Sequence, residues 1–283
     1  MFFVLDAVLL LLYSGAAVKY RNPPVVETVL SVQYKPLSKL GAGQLGAYWK
    51  ELGADWPIVA DVPAIDPTFE RFEPANVWEP SAFVKLSSKM DVRLQIRNKS
   101  KDRMIQIQNG RFFYNWLGTP GSEYPSYDLV RPEFDEQWDK FCEFVASQTS
   151  ENEVQPNLWE VLYVNHMPRG TVWNELSDLP RVLTFLRNPQ IDGLNLTLDG
   201  IGGEWRFEIG SRRGRLYLKL GMTMKENDTP CAVLTLTARG PIGSGTQSLD
   251  QGLETGHKTI TDSFDRLTSK DAQKYWASEH GDQ

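Results

Sequence analysis

With 283 residues, 41% hydrophobic and 23% charged, the chain has the composition of a folded globular protein with one large or two medium cores, and not that of a disordered one. A net charge of −6 supplies no global field to gather nucleic acid or an anionic membrane, so either partner would need a local basic patch. Cys142 and Cys231 each sit in an apolar periodic segment and read as buried free thiols, which fits a reducing, cytoplasmic setting.

Residues 1–18 (MFFVLDAVLLLLYSGAAV) are apolar but carry Asp6, lack a basic start and are short for a membrane span. They are expected to be a dispensable extension; a packed element, an anchor or an export signal are the other readings. Asn22-Pro23-Pro24 is extended because each proline restrains the residue before it. It leads into a strand over Val25–Tyr34, with Val26, Thr28, Leu30 and Val32 on one face and Val25, Glu27, Val29, Ser31 and Gln33 on the other. A helix is predicted over residues 40–52, with Leu45, Trp49 and Leu52 at helical spacing and Gly53 as its stop. Residues 56–88 are rich in proline and aromatics, with strands expected at 68–73 and 82–86.

Three clearer strands follow. Val92, Leu94 and Ile96 alternate with Arg93 and Gln95; Met104, Ile105 and Ile107 continue after the turn NKSKD; Arg111–Leu117 follows the hairpin signal Asn109-Gly110. Pro132 is expected to open a helix whose core stripe is Phe134, Trp138, Phe141, Cys142 and Val145. Residues 148–155 read as a linker.

The second half repeats this order: a strand at 158–166, a helix at 173–186, strands at 193–198, 204–209, 216–224 and 231–238, and a helix at 254–277 with Ile260, Phe264, Leu267, Ala272 and Trp276 as its apolar face. The expectation is an α+β fold, internally duplicated, in which β-α-β(antiparallel sheet)-α units pack helices on curved antiparallel sheets. The units would span residues 19–150 and 151–283. A curved sheet wrapped round a helix leaves either a groove or a pocket.

Asn22-Pro23-Pro24-Val25-Val26-Glu27, Gln106-Ile107-Gln108 with Arg111-Phe112, Asn115-Trp116, Tyr124-Pro125 with Tyr127, and then Phe134 form an ordered series of short motifs. In these the chain, from about Tyr20 to Trp276, resembles a sporadically distributed family of uncharacterised prokaryotic proteins that begin with N-P-P-[IV]-V-E. Members usually start just before that motif, which implies that residues 1–18 lie outside the shared unit. Arginine commonly follows their N-W pair, where this chain has Leu117. The family has no established activity, and its patchy distribution implies an accessory role, defence and mobile elements included.

Direct chemical signals are few. His166, His257 and His280 have no metal-ligand spacing, GPIGSG at residues 240–245 is not a nucleophile elbow, and neither residues 41–44 nor 200–203 make a phosphate loop. Asp61, Asp66, Asp192 and Asp199 read as solvated turns. No catalytic residue, metal or cofactor is therefore expected.

Two groups remain as candidates. Lys99, Lys101 and Arg103, with Arg212, Arg213 and Arg215, are basic turns at corresponding places in the two halves and could contact phosphates from a saddle, against which the acidic total argues. Asn22, Pro23, Pro24, Asn115, Trp116, Tyr124 and Tyr127 combine aromatics with amides, as a recognition surface does; the same residues could pin the first strand by packing. The leading expectation is a non-enzymatic binding or interaction protein with a protein partner. The alternatives are a ligand-binding or enzymatic module with a pocket enclosed by the sheets, and a nucleic-acid saddle. Long edge strands also allow a homodimer.

Overall fold

The computed structural model describes residues 20–72, 92–118, 123–148, 153–187, 196–225, 227–243 and 247–277. The first half contributes β1 (Val25–Tyr34), α1 (Ala42–Glu51), β2 (Ile58–Pro63), β3 (Val92–Arg97), β4 (Arg103–Gln108), β5 (Arg111–Leu117) and α2 (Tyr127–Gln148). The second contributes β6 (Pro156–Pro168), α3 (Leu179–Val182), β7 (Gly203–Ile209), β8 (Gly214–Met224), β9 (Pro230–Pro241), α4 (Leu249–Leu267) and α5 (Lys270–Ala277).

All nine strands join one antiparallel sheet in the order β2-β3-β4-β5-β1-β6-β9-β8-β7. β1 and β6 are therefore neighbours at its centre, and each is flanked on its other side by the last strand of its own half. Because strand side chains alternate, Leu30 and Val32 of β1, Phe112 and Tyr114 of β5, Trp159 and Val161 of β6, and Leu234 and Leu236 of β9 share one core with α2 and α4. Phe134, Phe141 and Val145 of α2 are fully buried there, Phe141 lying 5.3 Å from Phe112 and 5.4 Å from Tyr48 of α1. Each such aromatic contributes roughly 1.5–3 kcal/mol by leaving water.

Two glycines set how close α4 comes. Gly252 and Gly256, one turn apart, face the buried indole of Trp159. A Cβ at Gly252 would overlap that indole, and one at Gly256 would stand 2.8 Å from both Trp159 and Val161. The start of α4 is fixed by Ser248, whose hydroxyl accepts the Gln251 amide at 3.2 Å while the Gln251 side chain accepts the Ser248 amide at 3.2 Å.

The opposite face of the sheet is polar and largely covered. Arg111 of β5 donates to Glu160 of β6 at 2.6 Å and to Ser31 of β1 at 3.2 Å, with Arg111 and Glu160 both buried. Residues 64–72 cross this face as a strap. Ile65 exchanges backbone bonds with the Gln108 side chain (2.9 and 2.7 Å), and Thr68 does so with Gln33 (2.8 and 2.9 Å). Glu70, its carboxylate 1% exposed, receives Arg239 at 2.6 Å, Tyr217 at 2.7 Å and Arg215. The strap thus touches strands of both halves.

Several predicted boundaries move. The strand expected at 68–73 lies instead at Ile58–Pro63, because the strap spends its backbone groups on Gln33 and Gln108 rather than on a neighbouring strand. α2 begins five residues before Pro132, which sits inside it, since the Ser126 carbonyl already accepts the Leu129 and Val130 amides at 3.3 and 3.2 Å. The helix expected over 173–186 shrinks to a 3₁₀ turn (Leu176–Asp178) and the single turn α3, with Pro180 near its start. The helix expected over 254–277 is two, α4 and α5, because Thr268 is extended and bridges Leu183. A bulge between Val25 and Glu27 breaks the alternation, and Val25 joins the core. Residues 1–18, 82–86 and 193–195 lie outside the described residues, and residues 196–198, the rest of the strand expected at 193–198, form no strand.

The glycine seat is testable by a pair of substitutions. Gly252→Ala is expected to lower the unfolding free energy by about 1–3 kcal/mol through overpacking against Trp159. Gly46→Ala in α1, where a Cβ meets nothing within 4 Å, is expected to raise it by about 0.5–1 kcal/mol. Urea denaturation of both variants checks the opposite signs; a neutral Gly252→Ala would contradict the packing.

Candidate functional site

Pro23 and Pro24 cannot donate to a strand, so the chain peels away from the sheet just before β1. The Pro24 carbonyl still accepts the His166 amide at 2.8 Å, and the Asn22 amide reaches the Trp276 carbonyl of α5 at 2.9 Å. Residue Tyr20 consequently lies against the second half's helices. Its ring meets Phe264 and Trp276 edge-on at 6.0 and 6.1 Å, and its hydroxyl donates to Asp265 at 2.5 Å.

On the other side, Ser126 at φ +70° turns the chain into α2 and puts Tyr124 and Tyr127 toward β6 and α4. Between these walls lies a cavity of about 340 Å³. It is lined by Tyr20, Pro23, Pro24, Val25, Tyr124, Ser126, Tyr127, Asp128, Tyr163, Asn165, His257, Ile260, Thr261, Phe264 and Asp265.

The polar groups of this cavity are chained together. Tyr124 donates its hydroxyl to that of Tyr163 at 3.1 Å, and the Tyr163 hydroxyl lies 2.9 Å from Nδ1 of His257. With the protons running in that direction, Nδ1 is the acceptor and the neutral ring carries its proton on Nε2. Tyr127 lies flat on the imidazole, centroids 3.9 Å apart and planes within 4°, while its hydroxyl donates to Glu254 at 3.0 Å. Burial lowers the His257 pKa, with Glu254, Asp128 and Asp262 pushing it back up. Burial likewise raises the Tyr163 hydroxyl well above the usual range and pushes Tyr124 up to about 12. Asn165 is 4% exposed, and its Nδ2 donates to the Leu234 carbonyl at 3.1 Å.

The candidate residues divide. Pro23, Pro24, Tyr124 and Tyr127 line the cavity. Trp116 is buried behind Tyr124, 5.2 Å between centroids. Asn115, the residue before it, faces the other side of the sheet, donating to Glu27 at 2.6 Å and accepting from Gln106 at 3.1 Å. Asn22 and Trp116 border a second depression of about 670 Å³ that shares Pro23, Val25 and Tyr124 with the cavity.

Tyr20, Tyr163, Asn165, His257 and Asp265 were not singled out from sequence. A usable signal existed for one of them: His257 precedes Ile260 and Phe264 by three and seven positions on the apolar stripe of α4, where a polar ring is out of place.

The basic turns have other partners. Arg103 is held by Glu133 (2.5 and 3.0 Å) and Asp102 (3.0 Å), Lys99 by Asp55 at 3.0 Å, and Arg215 by Glu70. Lys101, Arg212 and Arg213 are exposed in their turns. The two turns sit at opposite ends of the strands, and their strands β4 and β8 are five strand spacings apart, about 24 Å across the sheet. A larger open depression of about 900 Å³ at His166, Lys219 and Thr235 lies on the polar face.

Among the described residues no three His, Cys, Asp or Glu side chains are grouped to hold a metal ion, and no helix is long and apolar enough to cross a membrane. No protein-family model and no curated protein matches the chain.

The buried imidazole has a measurable consequence. As pH falls below the ordinary value of 6.5, the unfolded ring takes a proton that the folded ring refuses. Stability from this group is therefore complete above that value and declines as pH falls toward the lowered pKa. The groups facing it are Tyr127 of α2, Tyr163 of β6, Asp128, and Glu254, Lys258 and Asp262 of α4. His257→Gln is expected to lose less unfolding free energy than the native chain between about pH 7 and about pH 5 in urea titrations. His166, also lowered by burial, is common to both proteins and cancels. Parallel losses would contradict a neutral, buried His257.

Proposed function

We propose that the chain is a binding protein without turnover of its own, and that its ligand is a small molecule held in the cavity between β6, α4 and the Tyr20 to Pro24 segment. The observation that carries this reading is the cavity itself. Its volume of about 340 Å³ falls within the range of roughly 300–1,000 Å³ typical of ligand pockets. It has aromatic walls, and the Asn165 carboxamide is among the polar groups of its lining.

His257 supports a binding role over a proton-transfer one, since its Nδ1 is taken by Tyr163 and one ring face is covered by Tyr127. The inward direction of Tyr124 and Tyr127 supports a small ligand over a protein surface at these residues. The free thiols of Cys142 and Cys231 support a cytoplasmic setting. We also read the two halves as copies of one unit: each begins with a central strand, ends its strands beside that first one, and then adds a long helix. On that reading the cavity lies at the seam between copies. The N-P-P-V-V-E motif, on which the family likeness rests, supplies Pro23 and Pro24 of the wall, so the same pocket is proposed for proteins that carry it.

Native mass spectrometry of protein purified from its own cells without denaturation tests the proposal. The expected result is a non-peptide mass that is released on unfolding and is missing from Ile260→Trp, which fills the cavity. Thr261→Leu is a milder filler should the first variant fail to fold. A native chain with no added mass, and no binding to a fragment library that either filler abolishes, would overturn it.

A further inference from the structure

The cavity's donors and charges point to one ligand class, and the argument rests on the cavity being the binding site. Several donors of its wall are turned into the protein. Tyr124 gives its proton to Tyr163, Tyr20 gives its own to Asp265, and Asn165 spends its Nδ2 on the Leu234 carbonyl. Tyr127 likewise gives its proton to Glu254, so tyrosine rings and oxygen acceptors share the lining with the neutral ring of His257.

The charged side chains in the lining are Asp128 and Asp265, and no lysine or arginine is among them. Arg131, which reaches the Tyr127 hydroxyl at 3.4 Å, is held by Asp135, Asp250 and Glu254 at 2.9, 2.6 and 3.0 Å. An anion here would meet two carboxylates and no free cation. A cation would find carboxylate and carboxamide acceptors together with ring faces that attract positive charge.

We propose that the cavity binds a small organic cation bearing N–H donors, a protonated primary or secondary amine, with its ammonium group between Asp265 and the Asn165 oxygen and its apolar part against Ile260 and Phe264. The neutral imidazole of His257 agrees with this, since it adds no opposing charge.

Calorimetric titration of the full chain with three probes of similar shape, 2-phenylethylamine, 2-phenylethanol and phenylacetate, provides the test. The amine is expected to bind at least ~10-fold tighter than the alcohol, with no detectable heat from the carboxylate. Asp265→Asn, which keeps the shape, is expected to weaken the amine by ~5–10-fold and leave the alcohol unchanged. Asp128→Asn, at an exposed position, serves if the first variant does not fold. Alcohol or carboxylate binding as tight as the amine would overturn the ligand class while leaving the pocket in use. Binding of none of the three would count against the amine inference and, if Ile260→Trp behaves identically toward a wider fragment set, against the pocket as well.

Discussion

The antiparallel pairing of β1 with β6 is the constraint on which the other parts depend. It runs from Val25 opposite Asn165 to Tyr34 opposite Pro156 and makes one sheet of two halves. It also places Trp159 and Val161 under α4, where the missing side chains of Gly252 and Gly256 let the helix settle onto them. A helix held further out would not bring His257 to within hydrogen-bonding distance of Tyr163. The cavity opens where this pairing ends: the bulge at Val25 and the two prolines before it carry the chain off the sheet, and Tyr20 crosses to Asp265 to close the far wall.

The two faces of the sheet hold their charges differently. On the polar face Arg111 and Glu160 are buried as a pair, and Glu70 of the strap takes up Arg215 and Arg239. Removing one partner from a buried pair of this kind costs about 3–5 kcal/mol, because a desolvated charge is left behind. These arginines are consequently structural cations, and residues 64–72 bind the two halves together rather than leaving a basic surface for phosphates. On the helix face the balance is reversed: the cavity holds carboxylates without matching basic groups in its lining.

Much of the frame was legible from residue pattern. Alternation found eight of the nine strands to within a few residues, and the Asn109-Gly110 hairpin and the Phe134 to Val145 stripe were read directly. What escaped depends on distant partners. The strap's backbone bonds go to Gln33 and Gln108, so its aromatic and β-branched residues imitate a strand. α3 fails to lengthen because Leu183 bridges Thr268, far along the chain.

The cavity was half legible for the same reason. Pro23 and Pro24, and Tyr124 and Tyr127, stood out as prolines and aromatics, but of their opposite wall, Tyr163, Asn165, His257 and Asp265, which comes from the other half, His257 alone carries a local mark. Asn115 and Trp116, adjacent in sequence, look like one site until strand alternation sends them to opposite faces. Spacing along a chain does not reveal which side of a sheet a helix from another half will cover.

The central claim is that a preformed, ligand-sized space exists at the seam and is occupied. A crystal structure of protein purified from its own cells, at a resolution where side-chain and ligand density are separable, examines it most directly. The account predicts an open cavity with Tyr163 bonded to His257 and non-protein density against the Asn165 oxygen. A cavity closed by Tyr124 and Ile260 repacked onto β6 would contradict it.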